Sequence, residues 1–391
     1  MACPSPEARD NHPLVEIAST FAGAHAVQGV SPLGNGNINS TYLVAREKAE
    51  PFVLQRLNTA VFPQPQRVMH NLLTVSQHVE ARLEGEGKDA GDRWVLPRVL
   101  RSRSGEAWLE EGEQFWRAIS FVPATTSLDA LATPGQAREV GYGLGRFHEL
   151  MHDLPCEQLA DTLEGFHITP GYLAQYEAIC AEPSCKKRLQ NAEQQEQQHQ
   201  SEQREKEGWA HLFVAQRAPW AGVLEWAKAC GELPLRPIHG DPKVNNVLLD
   251  ASSGRAVALV DLDTVKPGLL HYDIGDCLRS GCNPLGEETP ALDAVTFDLT
   301  LCEALLEGYG TVAPRFLGPA DHRYLYDAIR LLSFELGLRF FTDHLAGNVY
   351  FHTQRPGHNL DRALVQFRLT ESIEAQERDI RGLLERLKEK R

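Results

Sequence analysis

Apolar and polar positions alternate in short runs through the first third of the chain and recur at helical spacing through the rest. An amphipathic helix is predicted over Leu14–Ala22, ending near Gly23, and strand-like runs follow at Ala26–Leu33, Ser40–Ala45 and Phe52–Leu57. The turn chemistry of Gly34-Asn35-Gly36-Asn37 predicts that the first two strands form an antiparallel pair. A helix around Gln66–Leu83 comes next, then three more strands over Trp94–Arg101, Glu106–Glu110 and Phe115–Val122. Pro123-Ala124-Thr125-Thr126 interrupts the last strand and is read as a hinge. From Pro134 onward the spacing is helical. Gln136–Met151 sets Gly141 and Gly145 on one face, where a second backbone can approach closely. Leu189–Glu207 is rich in Gln and Glu but has no apolar stripe, which predicts a solvated insertion. Ala363–Lys388 carries Leu364, Phe367, Ile373, Ile380, Leu384 and Leu387 in helical register. One long helix capping the C-terminal part is expected, with a dimerising coiled coil as the alternative.

This pattern gives an α+β chain with two lobes, a small β-rich one over 1–123 and a larger, mainly helical one over 124–391, with the insertion at 189–207. Composition narrows the partners. A net charge of −14 at pH 7 argues against a general binder of nucleic acid or anionic membranes, both of which need a positive face. None of the eight cysteines forms a CxxC pair, so free thiols in a reducing compartment are expected. The N-terminus has no apolar leader and no run of 18 apolar residues occurs, so a cytosolic, membrane-free protein is expected.

The stretch IHGDPKVNNVLLDASSGRAVALVDLD, Ile238–Asp263, concentrates the candidate chemistry. Val247–Leu249 and Ala256–Val260 flank the turn residues Ala251-Ser252-Ser253-Gly254, which predicts a hairpin. Asn246 and Asp261 are symmetric about that turn, so they are expected to meet at its open end. One amide oxygen and one carboxylate suit Mg²⁺, which completes its shell with water and phosphate oxygens. Asp263, two residues on, is a candidate ligand for a second ion. Just upstream, Asp241 and Lys243 have the spacing Asp–x–Lys–x–x–Asn with Asn246. Phosphoryl transfer needs a carboxylate for the hydroxyl proton, metal across the phosphates and a cation near the moving group; Asp241, Asn246 with Asp261, and Lys243 fill these roles. His239 is read as a brace for the loop, and Asp273 and Asp276 as caps and braces of the following helix.

No GxxxxGK[ST] motif occurs, which excludes a P-loop. Gly34 and Gly36 mark a candidate phosphate-covering turn. Within Phe52-Val53-Leu54-Gln55-Arg56, Gln55 stands where a kinase-type strand would carry its lysine. Either Gln55 donates its amide to the phosphates or Arg56 substitutes; the first is favoured, because Arg56 points to the opposite face.

With HGDxxxxN followed by VDLD, the chain resembles the aminoglycoside phosphotransferase and choline kinase superfamily over roughly Gly29 to Leu345. GNGNINSTYLV, FVLQRLNTAVFP, VDLDTVKPGLLHYDIGDCLR and ELGLRFFTDHLAGNVYF are similar to stretches of the bacterial N-acetylhexosamine 1-kinases, which also carry Gln at the Gln55 position. The resemblance implies a bilobal protein-kinase-like fold, ATP and Mg²⁺, and transfer to the anomeric hydroxyl of an N-acetylhexosamine or hexose. It implies Asp241 as base and Asn246 and Asp261 as Mg²⁺ ligands, with adenine meeting the backbone near Phe121 and Val122. It also implies Arg339 and Tyr350 as sugar contacts; an ion pair between Arg339 and Glu335, four residues earlier, is the alternative. Two positions depart from the relatives along the sugar pocket: Asn37 where a His is expected, and Ser280 where an aromatic residue should follow Arg279. Rival readings are a kinase for an amino alcohol or an antibiotic, and a non-catalytic nucleotide-binding scaffold.

Overall fold

The computed structural model describes residues 12–34, 38–85, 93–182 and 198–389. They fall into two compact units. The first holds the described residues up to Thr125 together with Leu154–Glu164 and Val260–Pro267; the second holds the remainder.

In the first unit, helix α1 (His12–Phe21) precedes strands β1 (Val27–Pro32), β2 (Ser40–Arg46), β3 (Ala49–Leu57), β4 (Val99–Leu100), β5 (Leu109–Glu111) and β6 (Gln114–Ser120). The strands form an antiparallel sheet in the order β1-β2-β3-β6-β4, with β5 also paired to β6. Alternation decides the two faces. Phe52, Leu54, Trp116 and Ala118 pack with Val44 against Ile17, Ala18 and Phe21 of α1. The intervening positions Gln55 and Arg117, directly opposite each other in register, share the other face. Arg56 returns to the α1 face, its guanidinium 5.8 Å from the Trp116 ring centroid. Helix α2 (Pro65–Gly85) buries Val68, Met69, Leu72, Val75 and Val79, its apolar stripe. The strand expected over Trp94–Arg101 shrinks to Val99–Leu100, because Pro97 cannot donate to a ladder. Trp94 and Leu96 are buried all the same, so the alternation there records burial of irregular chain.

In the second unit, helix α3 (Pro134–Met151) begins at a reciprocal cap in which Thr133 and Gln136 satisfy each other's backbone N–H groups. It packs on α7 (Leu299–Tyr309) backbone to backbone, as the glycine spacing predicts. A Cβ at Gly141 would collide with the Leu305 carbonyl oxygen, and one at Gly308 with that of Arg138. Helices α4 (Thr169–Ala181), α5 (Gln198–Arg217), α6 (Leu270–Gly281) and α8 (Pro319–Ala346) belong to the same unit.

The long C-terminal helix is two helices, α9 (His358–Ala375) and α10 (Glu377–Glu389). Gln376 makes the break: its side-chain amide donates to the carbonyls of Phe297 (2.9 Å) and Ser372 (3.1 Å), holding the chain out of helical geometry. Ile380, Leu383, Leu384 and Leu387 are buried within the unit, which favours the capping role over a coiled coil.

The Gln/Glu insertion also differs from expectation. Residues 189–197 lie outside the described residues, but its last part belongs to α5. There Glu207 meets His344 at 2.7 Å, and beyond the polar tract Phe213 stacks on Phe367 with centroids 4.5 Å apart. The apolar anchor begins only at Trp209, which is why the tract itself reads as unattached. Among the described residues no helix is long and apolar enough to cross a membrane.

Candidate active site

In the second unit, strands β7 (Val247–Asp250) and β8 (Ala256–Leu259) form the expected hairpin. The turn closes because Asp250 accepts the backbone N–H and hydroxyl groups of Ser252 and Ser253, while Gly254 takes φ +71°. The ladder ends with Leu259 opposite Val247, a register offset by one residue from the symmetry that pairs Asn246 with Asp261. Asp261 then leaves extended geometry for the left-handed region, at φ 66° and ψ 57°. An Asp tolerates that conformation better than most residues do, and it re-aims an exposed carboxylate.

The loop ahead of the hairpin is held by one carboxylate. Asp273, wholly buried on α6, accepts the backbone N–H of His239 at 2.6 Å and that of Gly240 at 2.8 Å. His148 Nε2 lies 2.9 Å from the same group, and Nδ1 is 3.0 Å from the Tyr309 hydroxyl. Asp273 therefore braces the loop rather than capping its own helix. Gly240 stands at φ +88°, which suits a glycine in the His-Gly-Asp run. His239 is the expected brace, with Nδ1 accepting the Asp241 N–H at 3.2 Å and its ring edge-on to Phe147.

Asp241, Lys243 and Asn246 come together in this frame. Lys243 Nζ lies 3.0 Å from Asp241 Oδ2, and both side chains keep part of their surface exposed. The Asp241 carboxylate is the largest influence on the Lys243 ammonium and raises its pKa, so Lys243 stays charged. Asn246 donates its side-chain N–H to the Asp241 carbonyl at 2.8 Å, which leaves the amide oxygen as the end suited to a cation.

The first unit corrects two expectations. Thr41, Gln55 and Arg117 form a row across three strands. The Gln55 amide donates to Thr41 Oγ1 (3.2 Å), and its oxygen accepts from Arg117 Nε (2.9 Å) and Nη2 (2.7 Å). Arg117 also pairs with Asp263, both side chains being almost fully buried. The second Asp263 oxygen accepts from Asn39 at 2.7 Å. Both oxygens of Asp263 are thus committed, and the residue anchors Arg117 instead of offering itself to a second metal ion. Gln55 likewise serves as the relay that orients Arg117, whose Nη1 is buried without a partner among the described residues. Sequence reasoning missed Arg117; the signal was a lone charge in the apolar strand QFWRAIS, in register with Gln55. Gln55→Leu should cost about 1–3 kcal/mol by stranding two guanidinium N–H donors, measured by urea denaturation.

Of the glycine turn, Gly34 takes φ +69°, whereas Gly36 and Asn37 lie outside the described residues. Val122 is buried and Phe121 half-buried; the Val122 carbonyl accepts the Thr125 hydroxyl at 2.8 Å.

Arg279 is not placed to greet a substrate. It is 2% exposed and locked to Asp276 (2.8 Å) and Glu287 (2.6 Å). Asp276 in turn has one buried oxygen, Oδ2, with no partner among the described residues.

Arg339 is different. Its guanidinium carbon sits 5.1 Å from the ring centroid of Phe166, 5.0 Å from Tyr172, 5.9 Å from Tyr350 and 5.4 Å from Phe351. The Tyr350–Phe351 wall is built by Asp343, which accepts the N–H groups of Val349, Tyr350 and Phe351 just past the Gly347 terminus of α8. Burial pushes the Tyr172 hydroxyl up to about 12, with Arg339 opposing, so it stays a neutral donor. The alternative ion pair with Glu335 is not made: Glu335 is taken by His167 (2.8 Å) and Thr169 (2.6 Å). Among the described residues nothing hydrogen-bonds the Arg339 guanidinium.

Comparison with solved structures gives likeness of fold. An aminoglycoside phosphotransferase from Alicyclobacillus acidocaldarius subsp. acidocaldarius superposes with a TM-score of 0.59 at 15% identity, covering 99% of this chain and 98% of that one. A microcompartment-associated aminopropanol kinase gives 0.55 at 15% identity, with 94% and 98% covered. An amicoumacin kinase, hAmiN, solved in complex with AMP-PNP, Ca²⁺ and Ami, gives 0.54 at 13% identity, with 95% of each covered. The fold is kinase-like, with a β-sheet N-terminal region and a helical C-terminal region. The phosphotransferase enzyme family (APH) matches residues 29–315, a span that takes in the sheet, the His-Gly-Asp loop and the hairpin. The chain belongs to that family and is a phosphotransferase.

Proposed function

We propose that this phosphotransferase uses ATP and Mg²⁺ to phosphorylate a small-molecule hydroxyl, and that the hydroxyl is the anomeric one of a hexose or N-acetylhexosamine. The observation that carries the sugar reading is Arg339, a cation in an aromatic enclosure whose N–H donors have no hydrogen bond among the described residues, in the same unit as Asp241. Such a group suits the oxygens of a neutral polyol and repels a polycationic ligand. Tyr350, 51% exposed at the rim, adds a ring face and a hydroxyl.

In the reaction the substrate oxygen attacks the γ-phosphorus as the bond to the β-phosphate oxygen of ADP breaks, and Asp241 takes the hydroxyl proton. Lys243 keeps its charge beside Asp241 and serves the transferred group. Asn246 and Asp261 would hold Mg²⁺: an amide oxygen left over from the Asn246 bond and an exposed carboxylate are the oxygen donors that ion prefers. When bound, the ion neutralises charge on the phosphates. In the first unit, the chain at Gly34 would cover phosphate and the backbone at Phe121 and Val122 would take adenine, while Arg117, buried and held by Gln55 and Asp263, braces the strand that carries Gln55.

A second reading, an amino alcohol or aminoglycoside as acceptor, draws on the fold shared with an aminoglycoside phosphotransferase and an aminopropanol kinase. One panel separates them: free hexoses, N-acetylhexosamines, amino alcohols and aminoglycosides, each with ATP and Mg²⁺. The expected result is a sugar 1-phosphate, with the methyl glycoside of the best substrate inert because its anomeric oxygen is blocked. Phosphorylation of the methyl glycoside at a comparable rate would sink the 1-kinase reading, and preference for the amines would favour the second. No ATP turnover with any acceptor would point to a nucleotide-binding scaffold.

A further inference from the structure

We propose that His167 is a positioning residue that works as an imidazolium, donating from both ring nitrogens at once to clamp the loop that carries Asp241. The inference rests on the reading of Asp241 as base. His167 Nε2 lies 2.7 Å from the Gly240 carbonyl oxygen, and Nδ1 lies 2.8 Å from Glu335 Oε1. A carbonyl only accepts, so Nε2 must carry a proton. A carboxylate only accepts as well, so Nδ1 must carry one too. A neutral ring has a single N–H, and the arrangement is satisfied only by the doubly protonated form.

The surroundings agree. Glu335 Oε2 receives the Thr169 hydroxyl at 2.6 Å, so that oxygen acts as an acceptor. From α6, Tyr272 stacks on the imidazole with centroids 5.4 Å apart and Asp276 adds a negative charge. Phe166, the preceding residue, lies against the ring with centroids 4.0 Å apart, and the Arg339 guanidinium carbon is 5.1 Å from the Phe166 centroid. Burial works to lower the His167 pKa, yet the Glu335 charge and hydrogen bond, the Asp276 charge and the Gly240 carbonyl outweigh it and raise it. His167 also holds φ 63°, the left-handed region that a residue with a Cβ rarely adopts; such outliers persist where the surroundings over-determine them.

The clamp has a pH sign. A raised folded-state pKa means that the clamp is fully present below the ordinary histidine value and is lost as pH rises through the raised one. Release of the Gly240 carbonyl frees the residue next to Asp241, so kcat should fall on the alkaline side.

Nuclear magnetic resonance of ¹⁵N-labelled full-length chain reads the ring directly. Both His167 nitrogens should still carry protons above the ordinary histidine value, where a neutral imidazole would show a single N–H. His167→Gln can donate to Gly240 but turns an oxygen or a crowded amide toward Glu335, and kcat should fall ~10–100-fold with little change in KM for ATP. Glu335→Gln keeps the histidine and should bring its titration, and the alkaline limb of kcat, to lower pH. A singly protonated ring at pH 7 would overturn the proposal, as would a Glu335→Gln limb unmoved from wild type. A residue that only stabilised the fold would lower the melting temperature without moving that limb. Should Asp241→Asn prove fully active, the base assignment falls, while the protonation state of His167 is still decided by its own spectrum.

Discussion

Asp241→Asn is expected to lower kcat by at least ~10²-fold while leaving ATP binding largely intact, in line with the loss of a general base. The substitution is nearly isosteric and preserves the local frame, because the Asp241 carbonyl still accepts from Asn246 and its N–H still reaches His239. What disappears is a proton acceptor and the charge that faces Lys243 Nζ at 3.0 Å. Steady-state kinetics with the best acceptor, together with a nucleotide-binding titration, separates the two effects. Near-normal turnover would remove Asp241 from the mechanism.

Asp273→Ala is expected to cost about 3–5 kcal/mol, since it removes the charged half of a buried network and strands its partners. The backbone N–H groups of His239 and Gly240 lose their acceptor together, and His148 is left buried with only Tyr309. Asp273→Asn should cost less but still loosen the loop, because an amide can accept at one atom only. Burial by itself would raise the Asp273 pKa, but the bond and charge of His148 and the neighbouring His239 more than offset it and hold the carboxyl below its ordinary value. A depressed folded-state pKa contributes stability that is present above the unfolded value, about 3.9, and lost as pH falls through the folded one. Urea denaturation from pH 7 down to pH 3 should therefore show a steeper acid loss in the wild type than in Asp273→Ala. Equal stability of the two proteins at pH 7 would mean that the loop is held some other way.

Much of this was legible in the sequence because it is local. Alternation in Ser40–Ala45 and Phe52–Leu57 gave the strands, and Ser-Ser-Gly gave the hairpin turn. The Gly141 and Gly145 spacing gave the close helix contact. What stayed hidden depends on distant partners. Nothing near Asp263 announces Arg117, 146 positions away, and so a committed ion pair read as a spare metal ligand. Arg279 read as a substrate contact for a different reason: its locks, Asp276 and Glu287, are close in sequence, but the pairing that buries all three depends on how the chain folds after the helix. His167 gave no local sign at all, since its two partners lie 73 and 168 residues on. The hairpin turn is centred one residue earlier than its sequence midpoint, with Ala256 opposite Leu249, and the irregularity between Ala256 and Ala258 recovers only half of the resulting two-residue offset, which leaves Leu259 opposite Val247.

The seam between α3 and α7 has a consequence for how this protein can change. With glycine on both sides and carbonyl oxygens in the space where side chains would stand, the two helices have no compliant layer between them. Helix α3 carries His148, which reaches Asp273, and through it the backbone ahead of Asp241. A shim inserted at Gly141 would be felt at the loop, since a dense interior passes displacement on instead of absorbing it. The walls around Arg339 are built separately, on Phe166, Tyr172 and the loop gathered by Asp343. Residues around Arg339 can therefore be exchanged without disturbing the loop ahead of Asp241, which stays fixed to an incompressible keel.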